Sequence, residues 1–181
     1  AACLDLEGLQ KPDMASLTLS SLNFNKQASV NEPDVIKGLA QRMLAKGIKP
    51  ELEAFDLGMI NYARYLIRKD LLQPPYYFNL ILGNIACAQA DMLHLGLMVA
   101  ELPSDSFWAV GGIGDFQLRM NLMGILNRGG ARVGLEDNIW YDPERTRPAT
   151  NTELVRRVVQ TAGDLGFQPF SPTEIRRLLR L

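Results

Sequence analysis

Apolar and polar residues change their spacing regularly along the chain. Five short segments have the pattern of strands, and each is followed by a segment with helical spacing. The strand segments are residues 14–20, 51–55, 76–82, 107–113 and 131–137. The helical segments follow Asn31 and begin at residues 59, 90, 116 and 151, and a capping box at residues 171–174 starts a last helix. This repeated βα order predicts an α/β fold with a parallel sheet.

Individual residues mark the predicted ends of some helices. Asn31 and Asn151 precede helical spacing and are predicted N-caps. Gly47 is the predicted C-terminal stop of the first helix.

Two architectures are compatible with five βα units. One is an open, doubly wound sheet, and the other is five of the eight units of a (β/α)₈ barrel. A complete barrel normally needs about 250 residues. The length of 181 residues by itself therefore favours the open sheet.

The charge balance and the cysteines exclude several classes of protein. Nineteen Lys and Arg residues against 20 Asp and Glu residues give a net charge of -1, whereas nucleic-acid binding needs a basic excess. No apolar run is long enough to span a membrane. Cys3 and Cys87 form no metal-binding pair and fit a reducing compartment, so we expect a cytoplasmic protein. The chain begins at Ala1 and has no signal-peptide pattern, which indicates a processed end or a missing first part.

The fifth strand segment contains the sharpest cluster of charges. Period-two alternation over residues 131–137 places Arg132 and Glu136 on one face and Asp137 on the other. Four extended residues span about 13 Å, so a tight pair between Arg132 and Glu136 is not expected. Charges inside a strand need partners or a metal. These residues therefore predict a functional site, or else ordinary ion pairs and loop caps.

Two other candidates carry weaker signals. The glycine-rich segment 111–114 precedes a helix and suits either a phosphate cradle or a tight turn. His94 is the only histidine and lies within a helical segment, where a structural role is expected. Ser-His-Asp catalysis and a two-histidine metal site within this chain are therefore not expected.

Several segments resemble the β-keto acid cleavage enzyme family. They are PDMASLTLSSLNF (12–24), GIKPELEAFDLGM (47–59), WAVGGIG (108–114), GGARVGLEDN (129–138) and NTELV (151–155). The closing SPTEIR (171–176) is similar as well, and the matches occur in order over nearly the whole chain. The resemblance implies a (β/α)₈ TIM barrel in which residues 1–181 form a single domain. The chain would carry about five βα units, units four to eight, plus a C-terminal helix, with the N-terminal units absent.

The resemblance also implies roles for five residues. Glu136 would be a zinc ligand, and two histidine ligands would lie in the absent part. Asp137 would assist the base, and Arg132 would anchor the reaction intermediate. Ser16 would bind the substrate, with Thr18 as a less certain alternative.

The implied reaction is a zinc-dependent, Claisen-type acyl exchange. A β-keto acid and acetyl-CoA would give acetoacetate and a new CoA thioester, the reaction of an acyl-CoA C-acyltransferase. The resemblance further implies a homo-oligomer, a tetramer in the family, and a chain that is inactive alone. One alternative is a non-catalytic or truncated βα-barrel protein that binds a small ligand or a partner chain. Another is an open-sheet enzyme acting on sugar or nucleotide phosphates through residues 111–114.

Overall fold

In the computed structural model, which describes residues 2–181, five parallel strands form the main sheet. They are β1 (Met14–Thr18), β2 (Lys49–Ala54), β3 (Tyr76–Leu82), β4 (Ser106–Gly112) and β5 (Gly130–Ala131). The predicted third strand has both of its bounds confirmed. The predicted fifth strand is wrong over most of its length, because strand pairing ends at Ala131 and the chain then turns.

Six α-helices accompany the sheet. They are α1 (Pro33–Lys46), α2 (Leu57–Arg68), α3 (Met92–Ala100), α4 (Gln117–Leu126), α5 (Asn151–Asp164) and α6 (Pro172–Leu179). Each of the first four follows the strand of the same number and packs on the sheet. Gly47 ends α1 in the left-handed conformation, as its position predicts.

The strands lie side by side in the order in which they occur along the chain, from β1 to β5. A doubly wound sheet reverses this order at a switch point, whereas the sequential order has none. Parallel strands joined by right-handed crossovers in one direction place every helix on the same face. The open sheet favoured by length is therefore wrong, and the arrangement is that of consecutive barrel units.

The face of the sheet beneath the helices is apolar and buried. Its members alternate along the strands and are Leu17, Leu52, Phe78, Leu80, Leu82 and Val110, each no more than 1% exposed. Side chains from the helices, including Ile36, Ala40, Ile60, Ala63 and Met120, complete this core. Burial on this face leaves the polar members of the same strands on the opposite, inner face.

Two predicted helix caps differ from the structure. Thr150, and not Asn151, caps α5, because Thr150 and Glu153 form a reciprocal capping box. Asn151 is thereby free to accept a hydrogen bond from the Leu135 backbone N–H at 2.9 Å. Glu32 is the residue before α1, while the Asn31 amide bonds to the Ser20 carbonyl at 3.1 Å. The capping box predicted at residues 171–174 is confirmed at the start of α6.

No helix within residues 2–181 is long and apolar enough to cross a membrane.

The contact between α4 and the sheet depends on Gly124. A Cβ atom added there would lie 2.5 Å from the Gly130 carbonyl oxygen and 2.7 Å from Cγ1 of Val110. Gly124→Ala should therefore lower the free energy of unfolding by about 1–3 kcal/mol through overpacking. Gly38→Ala is the matched control in α1, where an added Cβ meets nothing within 4 Å. It should raise the free energy of unfolding by about 0.5–1 kcal/mol. Urea unfolding of both variants measures the contrast, and equal effects would contradict the close approach.

Candidate functional site

The inner face of the sheet is polar where β1, β2 and β3 lie together. Strand register pairs Ser16 with Glu51 and Thr18 with Glu53, and it pairs Glu53 with Asn79 on the next strand. Alternation puts all of these side chains on the face opposite the helices. Two carboxylates are thus held inside the curve of the sheet, where each needs partners.

Hydroxyl and amide groups provide those partners. The Thr18 hydroxyl donates to Oε2 of Glu53 at 2.6 Å, and the Ser16 hydroxyl donates to Oε2 of Glu51 at 3.2 Å. The buried Asn79 amide donates to Oε1 of Glu51 at 2.7 Å. Both predicted substrate-binding residues, Ser16 and Thr18, are therefore bonded to carboxylates of β2.

Burial changes the acidity of two groups on this face. It raises the pKa of Glu53, an effect that neighbouring Glu51 reinforces and the Thr18 hydrogen bond opposes. Burial, together with the charge of Glu51, raises the pKa of Tyr77 to about 12. Glu53 therefore holds a proton more strongly than an ordinary carboxyl group does.

Arg132 enters the site directly after β5. Its backbone N–H donates to the Val110 carbonyl at 2.9 Å and holds the residue beside β4. Its side chain lies across Gly111, where an added Cβ would be 3.2 Å from three of its carbon atoms. The absence of a side chain at Gly111 lets the guanidinium reach across the inner face toward β2.

Three carboxylates surround the Arg132 guanidinium. Asp137 accepts from Nε at 2.8 Å and from Nη2 at 3.2 Å, and Glu136 lies 2.9 Å from Nη2. Glu53 lies 3.7 Å from Nη1. The side chains of Arg132 and Asp137 are 18% and 4% exposed, whereas that of Glu136 is 83% exposed. The Asp137 hydrogen bond and charge raise the pKa of Arg132 even though burial acts against it.

This arrangement corrects the extended geometry expected for residues 131–137. Residues 135–137 form a turn, with the N–H groups of Asp137 and Asn138 both 3.3 Å from the Gly134 carbonyl oxygen. The turn brings Glu136 and Asp137 to the same guanidinium. The expectations that Asp137 faces away and that Glu136 is too distant to pair with Arg132 are both wrong.

Side chains of α4 hold the backbone of this segment. The Gln117 amide donates to the Gly134 carbonyl at 2.7 Å. The Asn121 amide donates to the Arg132 carbonyl at 2.7 Å and to the Val110 carbonyl at 3.2 Å. These bonds draw the chain away from a regular ladder and explain why β5 is short.

A cavity of about 230 Å³ opens beside Glu136. Its lining comprises Gly114, Asp115, Leu135, Glu136, Asp137, Asn138, Ile139, Trp140 and Arg145. A small molecule that enters it meets the exposed Glu136 carboxylate next to Arg132. The cavity therefore lies next to the two carboxylates, Glu136 and Asp137, that pair with Arg132.

The fit of a zinc ion can be judged from the available donors. Within residues 2–181 no three His, Cys, Asp or Glu side chains are grouped so that they could hold a metal ion. Glu136 offers one carboxylate and is now paired with Arg132. A catalytic zinc site needs three protein ligands, so the described residues do not by themselves make one.

The weaker candidates have roles within the protein. The Gly114 N–H donates to the Asp137 carbonyl at 2.7 Å and so helps to hold the turn. His94 lies in α3 with Nδ1 2.9 Å from the Asp91 carboxylate, which also caps that helix.

Sequence reasoning left five members of the site unassigned, and a signal existed for three of them. Asn79 interrupts an otherwise apolar strand segment. Glu51 and Glu53 alternate with the apolar Leu52 and Ala54, which marks a charged face on a strand. Gln117 and Asn121 gave no such signal, because polar residues in helices are usually exposed.

Comparison with solved structures shows the class of fold. The ternary complex of ObcA with a C4-CoA adduct and oxalate aligns with a TM-score of 0.77 at 21% identity. The match covers 94% of this chain and 46% of that chain. Together with the sequential parallel sheet, it shows that this chain forms part of an α/β barrel.

Sequence comparison shows the family. The family described as beta-keto acid cleavage enzyme matches residues 2–181. A 3-keto-5-aminohexanoate cleavage enzyme from Fusobacterium nucleatum is 37% identical over 98% of this chain. A 3-dehydrocarnitine:acetyl-CoA trimethylamine transferase from Rhizobium meliloti is 31% identical over 94% of it. The chain belongs to the beta-keto acid cleavage enzyme family, and it spans 66% and 57% of the lengths of these two relatives.

The raised pKa of Glu53 predicts a pH-dependent stability. Because the folded state binds this proton more strongly than the unfolded state, the contribution of Glu53 falls as pH rises above the ordinary carboxyl range. Glu53→Gln should therefore gain stability relative to the wild type as the pH rises above the ordinary carboxyl range. Urea unfolding at a series of pH values measures this difference.

Thr18→Val provides the matched comparison for that series. It removes the hydroxyl that lowers the pKa of Glu53 and should make the loss of stability with rising pH steeper. A difference between Glu53→Gln and the wild type that does not change with pH would contradict the assignment.

Proposed function

We propose that this protein cleaves a β-keto acid in an acetyl-CoA-dependent, Claisen-type acyl exchange. The products are acetoacetate and a new CoA thioester. The observation that carries the proposal is the Arg132 guanidinium, fixed by Asp137 at the carboxyl end of a parallel sheet. Membership of the family and the names of the two relatives, a keto-acid cleavage enzyme and an acetyl-CoA-dependent transferase, support the reaction type.

Arg132 binds the carboxylate of the β-keto acid. Asp137 occupies Nε and one edge of Nη2, while Nη1 has only Glu53 at 3.7 Å. Glu136 is largely exposed and can leave Nη2 at small cost, since exposed ion pairs contribute about 0–1 kcal/mol. The substrate carboxylate then takes its place and forms a charge-assisted, bidentate pair with the guanidinium.

The carboxylates on the inner face of the sheet have two different roles, proton transfer and the fixing of Arg132. Both oxygens of Asp137 are bonded to Arg132, so Asp137 assists by fixing the anchor. Glu53 has a raised pKa and faces the same guanidinium, and it accepts the proton from the α-carbon of the keto acid. Thr18 orients Glu53, while Ser16 offers its hydroxyl to the substrate.

After removal of this proton, the exchange proceeds in two steps. The α-carbon carbanion forms a bond to the acetyl carbonyl carbon and expels CoA thiolate. The thiolate adds to the original keto carbon, and the bond between that carbon and the α-carbon breaks. The original acyl group leaves as a CoA thioester, and acetoacetate regains its proton from Glu53.

A zinc ion at this site would need ligands in addition to Glu136. When bound, it would act as a Lewis acid on the keto oxygen, and Glu136 would supply one carboxylate ligand. The other ligands would have to come from groups other than the described residues 2–181. No step assigned to this chain passes through zinc.

Replacement of Arg132 tests the function. The protein expressed from its native gene is supplied with acetyl-CoA and a panel of β-keto acids, and acetoacetate and new CoA thioesters are measured by mass spectrometry. Arg132→Ala should lower kcat/KM by roughly 30- to 1000-fold, equivalent to about 2–4 kcal/mol of transition-state binding.

Arg119→Ala is the control, because Arg119 is exposed on α4 and lies outside the site. It should leave turnover unchanged. Full activity in Arg132→Ala, or no acetoacetate from any keto acid with the wild type, would contradict the proposal.

We also propose that the protein forms a homo-oligomer through α3. Met92, Leu93 and Leu97 on this helix are 75%, 69% and 45% exposed, and such apolar exposure is typical of subunit contacts. Light scattering at micromolar concentration should show more than one copy per particle. Leu93→Glu should reduce the mass, whereas Val35→Glu on the exposed side of α1 should not. A strictly monomeric wild type would contradict this assembly.

A further inference from the structure

Two amide side chains of α4 are completely buried. Gln117 and Asn121 are one helical turn apart, and each is 0% exposed. Their neighbours Met120, Gly124 and Ile125 are buried as well, so the amides lie in surroundings otherwise occupied by apolar groups. A buried primary amide destabilises a protein unless its polar atoms are bonded.

The nitrogen of each amide donates at least one hydrogen bond, whereas the oxygen accepts none from residues 2–181. Both NH₂ groups bond to backbone carbonyls, whereas Oε1 of Gln117 and Oδ1 of Asn121 have no hydrogen-bond partner among the described residues. Apolar residues of similar size would avoid that cost. We therefore attribute the presence of the buried amides to the hydrogen bonds that they donate to backbone carbonyls.

Those carbonyls belong to Arg132, the proposed substrate anchor, and to residues next to it in the structure. Asn121 joins the carbonyl of Val110 on β4 to the carbonyl of Arg132, and Gln117 holds the carbonyl of Gly134 at the start of the turn. Beyond the single bond from the Arg132 N–H to β4, this stretch has no strand ladder to define its path. The backbone from which the Arg132 side chain extends is therefore held by α4 at the carbonyls of Arg132 and Gly134.

We infer that Gln117 and Asn121 are positioning residues that act on the reaction through Arg132. The inference rests on the proposed function. Without the Asn121 amide, the Arg132 carbonyl loses its donor, and the guanidinium moves relative to Glu53. A displacement of about 1 Å at a substrate anchor can reduce turnover by about 100-fold.

A double-mutant cycle separates positioning from general stability. Asn121→Leu keeps the size of the side chain and removes the amide, and it should lower kcat/KM by about 10- to 100-fold. In an Arg132→Ala background it should cause no further loss beyond about twofold, because the group through which it acts is already gone. Losses that multiply fully in the double variant would overturn the inference.

Asn127→Leu is the matched control at the C-terminal end of α4. It also removes an amide that donates to a carbonyl, here that of Met123 at 2.8 Å, but it lies at the exposed end of α4. It should leave kcat/KM unchanged in both backgrounds. Gln117→Met is the second test variant and replaces Asn121→Leu if that variant does not fold. Its effect on kcat/KM should likewise disappear in the Arg132→Ala background.

A spectroscopic measurement keeps this inference separate from the proposed function. The ¹⁵N signal of the Arg132 Nε, assigned by its loss in Arg132→Ala, reports the bond to Asp137. It should shift in Asn121→Leu or Gln117→Met and stay in place in Asn127→Leu. If the wild type makes no acetoacetate, the proposed function fails while this signal still tests the positioning. An unshifted signal in both test variants would overturn the inference.

Discussion

The candidate site depends on one positive charge held on the inner face of the sheet. Arg132 is only 18% exposed, so its guanidinium requires partners inside the protein. Asp137 supplies two hydrogen bonds from the following turn, and Glu53 faces the guanidinium from β2. Removing one partner of a buried pair costs about 3–5 kcal/mol. The contact between Arg132 and Glu53 links the end of β5 to β2, which lies much earlier in the chain. The Thr18 hydroxyl joins the same network through Glu53.

The fold could be predicted in part, for a physical reason. The spacing of apolar and polar residues reflects which side of an element is buried. It located the first four strands of the main sheet, with both bounds of β3, but placed most of the fifth beyond its true end. The lateral order of the strands leaves no such mark, because a βα repeat occurs in both doubly wound sheets and barrels. Length favoured the wrong one of these, and the resemblance of whole segments indicated the barrel. The sequential order from β1 to β5 then agrees with the resemblance.

Part of the residue set of the candidate site could be predicted from the sequence, but its geometry could not. Ser16, Thr18, Arg132, Glu136 and Asp137 all lie in or beside the hydrogen-bonded inner face, and their roles in the reaction remain proposals. Alternation within a segment cannot reveal a competing donor on another element. Side-chain amides from α4 take carbonyls that strand pairing would otherwise use, and the extended geometry expected after Ala131 gives way to a turn. Partial burial of Glu53 likewise depends on strands that come together only in the fold.

The hydrogen bonds from α4 side chains to backbone carbonyls have an evolutionary consequence. A carbonyl oxygen is the same whatever side chain its residue carries, so these bonds do not depend on the side chains of the residues that accept them. Leu135 and Ile139 line the cavity with apolar side chains that do not bond to the guanidinium. Descendants of such a chain can thus explore new substrate shapes by single substitutions while the guanidinium stays where it is. A scaffold that holds the backbone of its charged residue through main-chain carbonyls separates part of the evolution of specificity from the maintenance of chemistry.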